Sequence, residues 1–140
     1  MPASFDNSRP PGPAAVHAAL VRICASRPFD TSPKLTSFLR FVVEVTLSGH
    51  GNRLKGYTVG VEALGRAESF NPQIDPIVRV EAIRLRAALA RYYSGAGARD
   101  PVVIEMPRGH YVTRFRWARR SAPRAMWARA CRALQRLLAA

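Results

Sequence analysis

A chain of 140 residues with 48% hydrophobic content has room for one modest core plus extensions, and a formal net charge of +13 points to an anionic partner. Two distant cysteines, Cys24 and Cys131, three scattered histidines and nine acids offer no disulfide framework, zinc spacing, nucleophile–base set or paired carboxylates; no enzyme, metal or cofactor is expected. No apolar run reaches the roughly 18 residues of a spanning helix and no secretory pattern opens the chain, so the expected location is cytoplasmic, at most peripheral at an inner membrane.

Residues 1–12, rich in Pro and small polar side chains, read as a disordered leader. A helix is predicted from Pro13 to about Ser26, with Val16, Leu20, Ile23 and Cys24 on one face and His17 as a surface residue. Thr31 or Ser32 caps the next helix, and Pro33 occupies its first turn, where a missing N–H costs nothing. Its broad stripe of Leu35, Phe38, Leu39, Val42, Val43, Thr46 and Leu47 marks the central core helix, which Gly49 and Gly51 stop. A shorter helix is predicted from Leu54 to Arg66, with Leu54, Tyr57, Val61 and Leu64 on its buried stripe. Gly56 and Gly60 weaken that helix by about 1 kcal/mol each relative to Ala, which suits a place where helices must approach closely. The turn-rich stretch Glu68–Asp75 follows, with Phe70 folded back onto the core.

The segment DPIVRVEAIRLRAALARYY, Asp75 to Tyr93, predicts a basic amphipathic helix over 76–93. Asp75 caps it and Pro76 opens it. At about 100° per residue, Val78, Ala82, Leu85, Leu89 and Tyr92 share one face. Arg79 and Arg86 lie on one edge of the opposite side, Arg84 and Arg91 on the other, with Val80, Ile83, Ala87 and Ala90 between them. A small-to-aliphatic surface flanked by guanidinium groups is what a helix entering the DNA major groove needs; an ordinary solvated face has the same appearance. Glu81 inside this helix reads as an ion-pair partner that orients a neighbouring Arg.

Beyond the loop 94–101, Val102–Met106 and Tyr111–Phe115 alternate as two short strands around a turn in which Gly109 supplies a positive φ. Arg108 and His110 sit at the tip, and Arg114 and Arg116 point out from the second strand. In the tail, residues 118–140, Ser121 and Pro123 open a last helix with Trp127, Cys131, Leu134 and Leu138 on one stripe and Arg124, Arg129, Arg132 and Arg136 off it. Residues 121–140 could dock on the domain, pair with a second copy or partner helix, or lie on an anionic membrane surface. Charge follows the same division. Residues 1–78 carry eight Lys/Arg and six Asp/Glu, whereas residues 79–140 carry fourteen Arg and three acids.

The predicted order is core helix, short helix, turn, basic helix, hairpin. This is a mainly α fold with a small β-hairpin, a winged helix-turn-helix over 13–117 with an extra helix at its start. The stretches VRVEAIRLRAAL and IEMPRGHYVTRF resemble the end of the OmpR/PhoB-type response-regulator output domain, through Val78, Val80, Arg84, Leu85, Arg86, Leu89, Gly109 and Tyr111. From about Leu20 to Phe115 the chain more closely resembles a variant found at the N-terminus of bacterial membrane-helix and tetratricopeptide-repeat proteins, some labelled adenylate-cyclase-like. The carrying motifs are FLRFVVE, LKGYTVGVEALGR, FNPQIDPIVRVEAIRLR and PRGHYV.

This resemblance implies a DNA-binding module of a bacterial transcriptional regulator, with double-stranded DNA as partner. Helix 76–93 would lie in the major groove and hairpin 102–115 would act as wing. Arg79, Val80, Ile83 and Arg84 would then face base edges, Arg86 and Arg91 would meet phosphates, and Arg108, His110 and Arg114 would serve the wing. The chain departs from the variant at Ile83, where a basic or small residue is usual, and at Ala88, where Lys is common. Its first helix stands where the output domain has a small β-sheet. Two other readings remain open: a winged-helix interaction or dimerisation module, and a membrane-surface-associated remnant of a longer sensor protein.

Overall fold

The computed structural model describes residues 8–119 and 124–139, the side chains of 124–128 and 139 excepted. The chain is mainly α with a small β-hairpin. In order come α1 (Pro13–Cys24), α2 (Pro33–Leu47), α3 (Gly56–Thr58, running on as a π-type turn, Val59–Ala63), α4 (Ile77–Ser94), β1 (Val102–Glu105), β2 (Arg114–Trp117) and α5 (Arg124–Ala139). No helix among the described residues is long and apolar enough to cross a membrane.

Local chemistry explains the first two helices. Pro13 sits in the first turn of α1, and Val16, Ala19, Leu20 and Ile23 are its buried face. Of the two candidate caps for α2, Ser32 acts: its hydroxyl accepts a hydrogen bond from the Leu35 amide at 3.4 Å. Leu35, Phe38, Leu39, Val42 and Val43 are buried, while Thr46 and Leu47 are half-buried. Gly49, with φ of +79°, carries the chain out of α2.

The third helix differs from its expected form. It is shorter, and its buried residues are Val59, Gly60 and Ala63, with Leu54 buried just ahead of it. Tyr57 faces solvent at 43% exposure and its hydroxyl donates to the Glu68 carbonyl. The π-type turn shifts the sequence by a residue against a 3.6 repeat, so the expected stripe does not form one face. Gly60 packs directly under the Phe70 ring, where any Cβ would collide, so the close neighbour is a ring of the connecting loop rather than the second helix expected, and a Cβ at Gly56 would meet only Pro72 at 3.4 Å.

The leader is also partly structured. From residue 8 it packs on the domain: Pro11 is buried, and the Trp117 indole donates to the Arg9 carbonyl at 2.8 Å. Residues 1–7 lie outside the described residues.

β1 and β2 pair antiparallel, Val102 opposite Trp117 and Glu105 opposite Arg114. The second strand was expected over Tyr111–Phe115 but begins at Arg114. Residues 111–113 pack on α2 and its exit instead. The Tyr111 ring meets Phe38 edge-on at 6.1 Å, Val112 closes over Gly51, and the Thr113 amide donates to the Thr46 hydroxyl at 3.3 Å. Gly109 has φ of +93° in the turn.

β1 is buried on both faces, between α4 and α1. Side chains satisfy its second edge. The Tyr93 hydroxyl accepts from the Ile104 amide at 2.7 Å and donates to the Val102 carbonyl, while the Val102 amide donates to Asp100. Burial pushes the Tyr93 phenol upward, keeping it protonated. Asp100 also takes both ends of the Arg22 guanidinium, at 3.0 and 2.8 Å, and the Tyr92 hydroxyl at 2.6 Å, tying α1 to α4 and β1. Burial alone would raise the Asp100 carboxyl; Arg22, Tyr92 and the Val102 amide outweigh it and hold it below the ordinary carboxylate range.

Candidate nucleic-acid interface

The candidate interface is built on α4. Its start is fixed by Asp75, whose carboxylate accepts from the Ile77 amide at 3.1 Å and pairs with Arg66 Nε at 3.2 Å. Pro76 stands just before the first helical residue. Val78, Ala82, Leu85, Leu89 and Tyr92 are buried as the periodicity demands, and Glu81 and Ala88 join them. Glu81, only 3% exposed, accepts from Arg84 Nη1 at 3.3 Å, so Arg84 is steadied along its edge while most of its side chain stays in solvent.

The remaining predicted residues fall into three groups. Arg79 and Arg91 are exposed and their side chains form no hydrogen bond or ion pair among the described residues, and the same holds for the side chains of Arg108 and Arg114 in the hairpin. Val80 is 38% exposed and Ile83 half-buried.

Arg86 and His110 serve the hairpin turn itself. Arg86 donates from Nε to the Met106 carbonyl at 2.9 Å, and from Nη2 to the carbonyls of Pro107 and His110 at 3.1 Å each. Three of its five N–H donors are thereby used, and the side chain acts as a strut between α4 and the hairpin. Burial, and to a smaller degree Arg108, lowers its pKa. The His110 ring accepts from the Val112 amide at 3.2 Å and so helps shape the turn.

The outer face of α4 holds the largest departure from expectation. Ala87 and Ala90 point away from the core, yet they are only 7% and 5% exposed. They are covered by α5, which lies along α4. Cys131 of α5 is buried, and Ala130 and Leu134 are half-buried. Arg129, Arg132 and Arg136 face solvent, with Leu137 and Leu138 exposed at 47% and 41%. Leu138 therefore leaves the expected stripe. Ser121 and Pro123, and the side chain of Trp127, lie outside the described residues.

Between α4, the turn after β1 and α5 runs an open cleft of about 430 Å³. Leu89, Ile104 and Met106 line it, with Arg108 and Arg114 among its polar residues. The cover on Ala87 and Ala90 was missed in the sequence, although small residues at the centre of a helix face are the local sign of a closely packed neighbour. No family model, curated protein or solved structure matches the chain.

Proposed function

We propose that this chain is a DNA-binding module of a bacterial transcriptional regulator, with α4 as the groove-reading helix and the β1–β2 hairpin as wing. The observation that carries this reading is a set of exposed guanidinium groups without partners among the described residues, Arg79 and Arg91 on α4 and Arg108 and Arg114 on the hairpin. These four flank a helix and the hairpin that directly follows it. Glu81 adds support, because a buried carboxylate that holds Arg84 in place reduces the side-chain freedom that Arg84 would lose on meeting a base or phosphate.

Within this reading the roles divide by geometry. Arg79, Val80, Ile83 and Arg84, in the first half of α4, are the residues offered to base edges; Ile83 can touch a thymine methyl but cannot hydrogen-bond guanine. Arg91, Arg108 and Arg114 are the phosphate contacts. Arg86 contributes by holding the wing against α4. The docked position of α5 favours a role within the chain over pairing with a separate helix.

The test is fluorescence anisotropy with a mixed-sequence duplex pool across a salt series. Each phosphate contact adds about 0.9 to the slope of log affinity against log salt, so replacing Arg108 by Ala lowers that slope by about one such step. Arg79→Ala/Arg84→Ala weakens binding throughout. Equal, weak binding by the parent and this double variant at low salt would sink the proposal.

A further inference from the structure

We propose that α5 is a displaceable cover on α4, and that its docked position over Ala87 and Ala90 and duplex DNA compete for the same helix face. The inference rests on the DNA-binding reading above.

A B-form major groove is about 12 Å wide and admits one α-helix. A helix with its side chains is about 10–12 Å across, and packed helices lie about 8–10 Å apart. With α5 seated along its outer face, the second half of α4 cannot enter a groove. On the outer face only the first half, from Arg79 to Arg84, stays open, while Arg91 remains exposed at the edge of the covered half.

The contact has the character of a reversible one. Among the described side chains, those buried where α5 meets the outer face of α4 are small, Ala87 and Ala90 on α4 and Cys131 on α5, with Leu134 half-buried beside them. No α5 residue belongs to the main apolar core among the described residues. Leu137 and Leu138 gain little shelter, and the exposed Arg129, Arg132 and Arg136 add positive charge to an already basic region. Mutual repulsion among these guanidinium groups opposes docking. A duplex would favour release twice, by taking the α4 face and by giving the freed Arg side chains phosphates to meet.

A docked state favoured about tenfold over the open one lowers apparent duplex affinity by a similar factor. Cys131 reports the state directly, since it is buried only while α5 is seated. The experiment uses the full chain with Cys24→Ser, leaving one thiol. The rate of maleimide labelling is measured with and without saturating mixed-sequence duplex at low salt, with binding followed in parallel by anisotropy. Labelling should accelerate about tenfold when duplex binds, and Cys131→Glu, which unseats α5 without touching α4, should bind about tenfold tighter.

Should Cys131→Glu fail to fold, the labelling rates decide alone. A thiol that stays protected in a chain that binds duplex overturns the cover and leaves the DNA reading standing. Absence of duplex binding by both the full chain and Cys131→Glu overturns the two together.

Discussion

Replacing Asp100 by Ala removes the acceptor on which four donors converge, Arg22 Nε and Nη2, the Tyr92 hydroxyl and the Val102 amide. The donors do not lose equally. The Arg22 side chain is 45% exposed and can return to water, so its share is small. Tyr92 and Val102 are buried and cannot. A buried donor left without an acceptor costs about 1–3 kcal/mol, so two of them and the small void make a loss of about 3–4 kcal/mol, within the range for a broken buried pair. For a chain of this size that corresponds to a fall of roughly 10–15 °C in Tm. Urea and thermal unfolding measure it, with the exposed Asp30→Ala as a control that should stay within about 0.5 kcal/mol of the parent.

The same carboxylate sets an acid dependence. Its folded pKa lies below its unfolded one, so its stabilisation is present above the unfolded value and fades as pH falls through the folded one. The gap between parent and Asp100→Ala should therefore narrow below about pH 4. A loss under about 1 kcal/mol at neutral pH would refute the account of Asp100 as the tie between α1, α4 and β1.

Three further outcomes follow from the described contacts. Arg86→Ala strips the Met106, Pro107 and His110 carbonyls of their donor and should cost about 2–3 kcal/mol in urea unfolding. Arg79→Ala, on the same edge of the helix but with its side chain in solvent, should cost less than about 0.5 kcal/mol; equal effects would remove the strut role. Tyr93→Phe leaves the Ile104 amide and Val102 carbonyl unpaired and should cost about 2 kcal/mol, with faster hydrogen exchange at Ile104; an unchanged exchange rate there would count against the phenol's role. Gly60→Ala drives a methyl into the Phe70 ring and should destabilise by about 1–3 kcal/mol, and Phe70→Leu in the same chain should recover part of the loss. No recovery would mean that the collision is not the cause.

Much of the fold was legible because its signals are local. Ser32 and Pro33 start α2, Asp75 and Pro76 start α4, and Gly109 turns the hairpin by chemistry confined to a few neighbouring residues. What was misread depends on distant partners. Tyr111–Thr113 alternates like a strand, but Phe38, Thr46 and Gly51, far away in sequence, claim those residues.

The candidate site follows the same rule. All four basic positions at the edges of α4 look alike in sequence. Only the fold separates Arg86, tied to carbonyls 20–24 residues away, from Arg79 and Arg91 in solvent. The amphipathic tail showed that one face must be covered but not by what; the answer lay in Ala87 and Ala90, whose smallness reads equally well as room for DNA or room for a helix.

The way β1 ends its sheet bears on how the protein behaves in a crowded solution. A two-stranded sheet invites growth, because a bare strand flank is a template for another chain. Here Tyr93 and Asp100 occupy the groups on the inner flank from Val102 to Ile104, and α1 packs beside them. On the other strand, exposed Arg114 and the Arg116–Glu105 pair set charge along the approach. Resistance to strand-by-strand assembly is thus vested in a phenol, a carboxylate and a few charges rather than in additional strands. Loss of Tyr93 would then surface first as turbidity that rises with protein concentration, ahead of any change in average helix content.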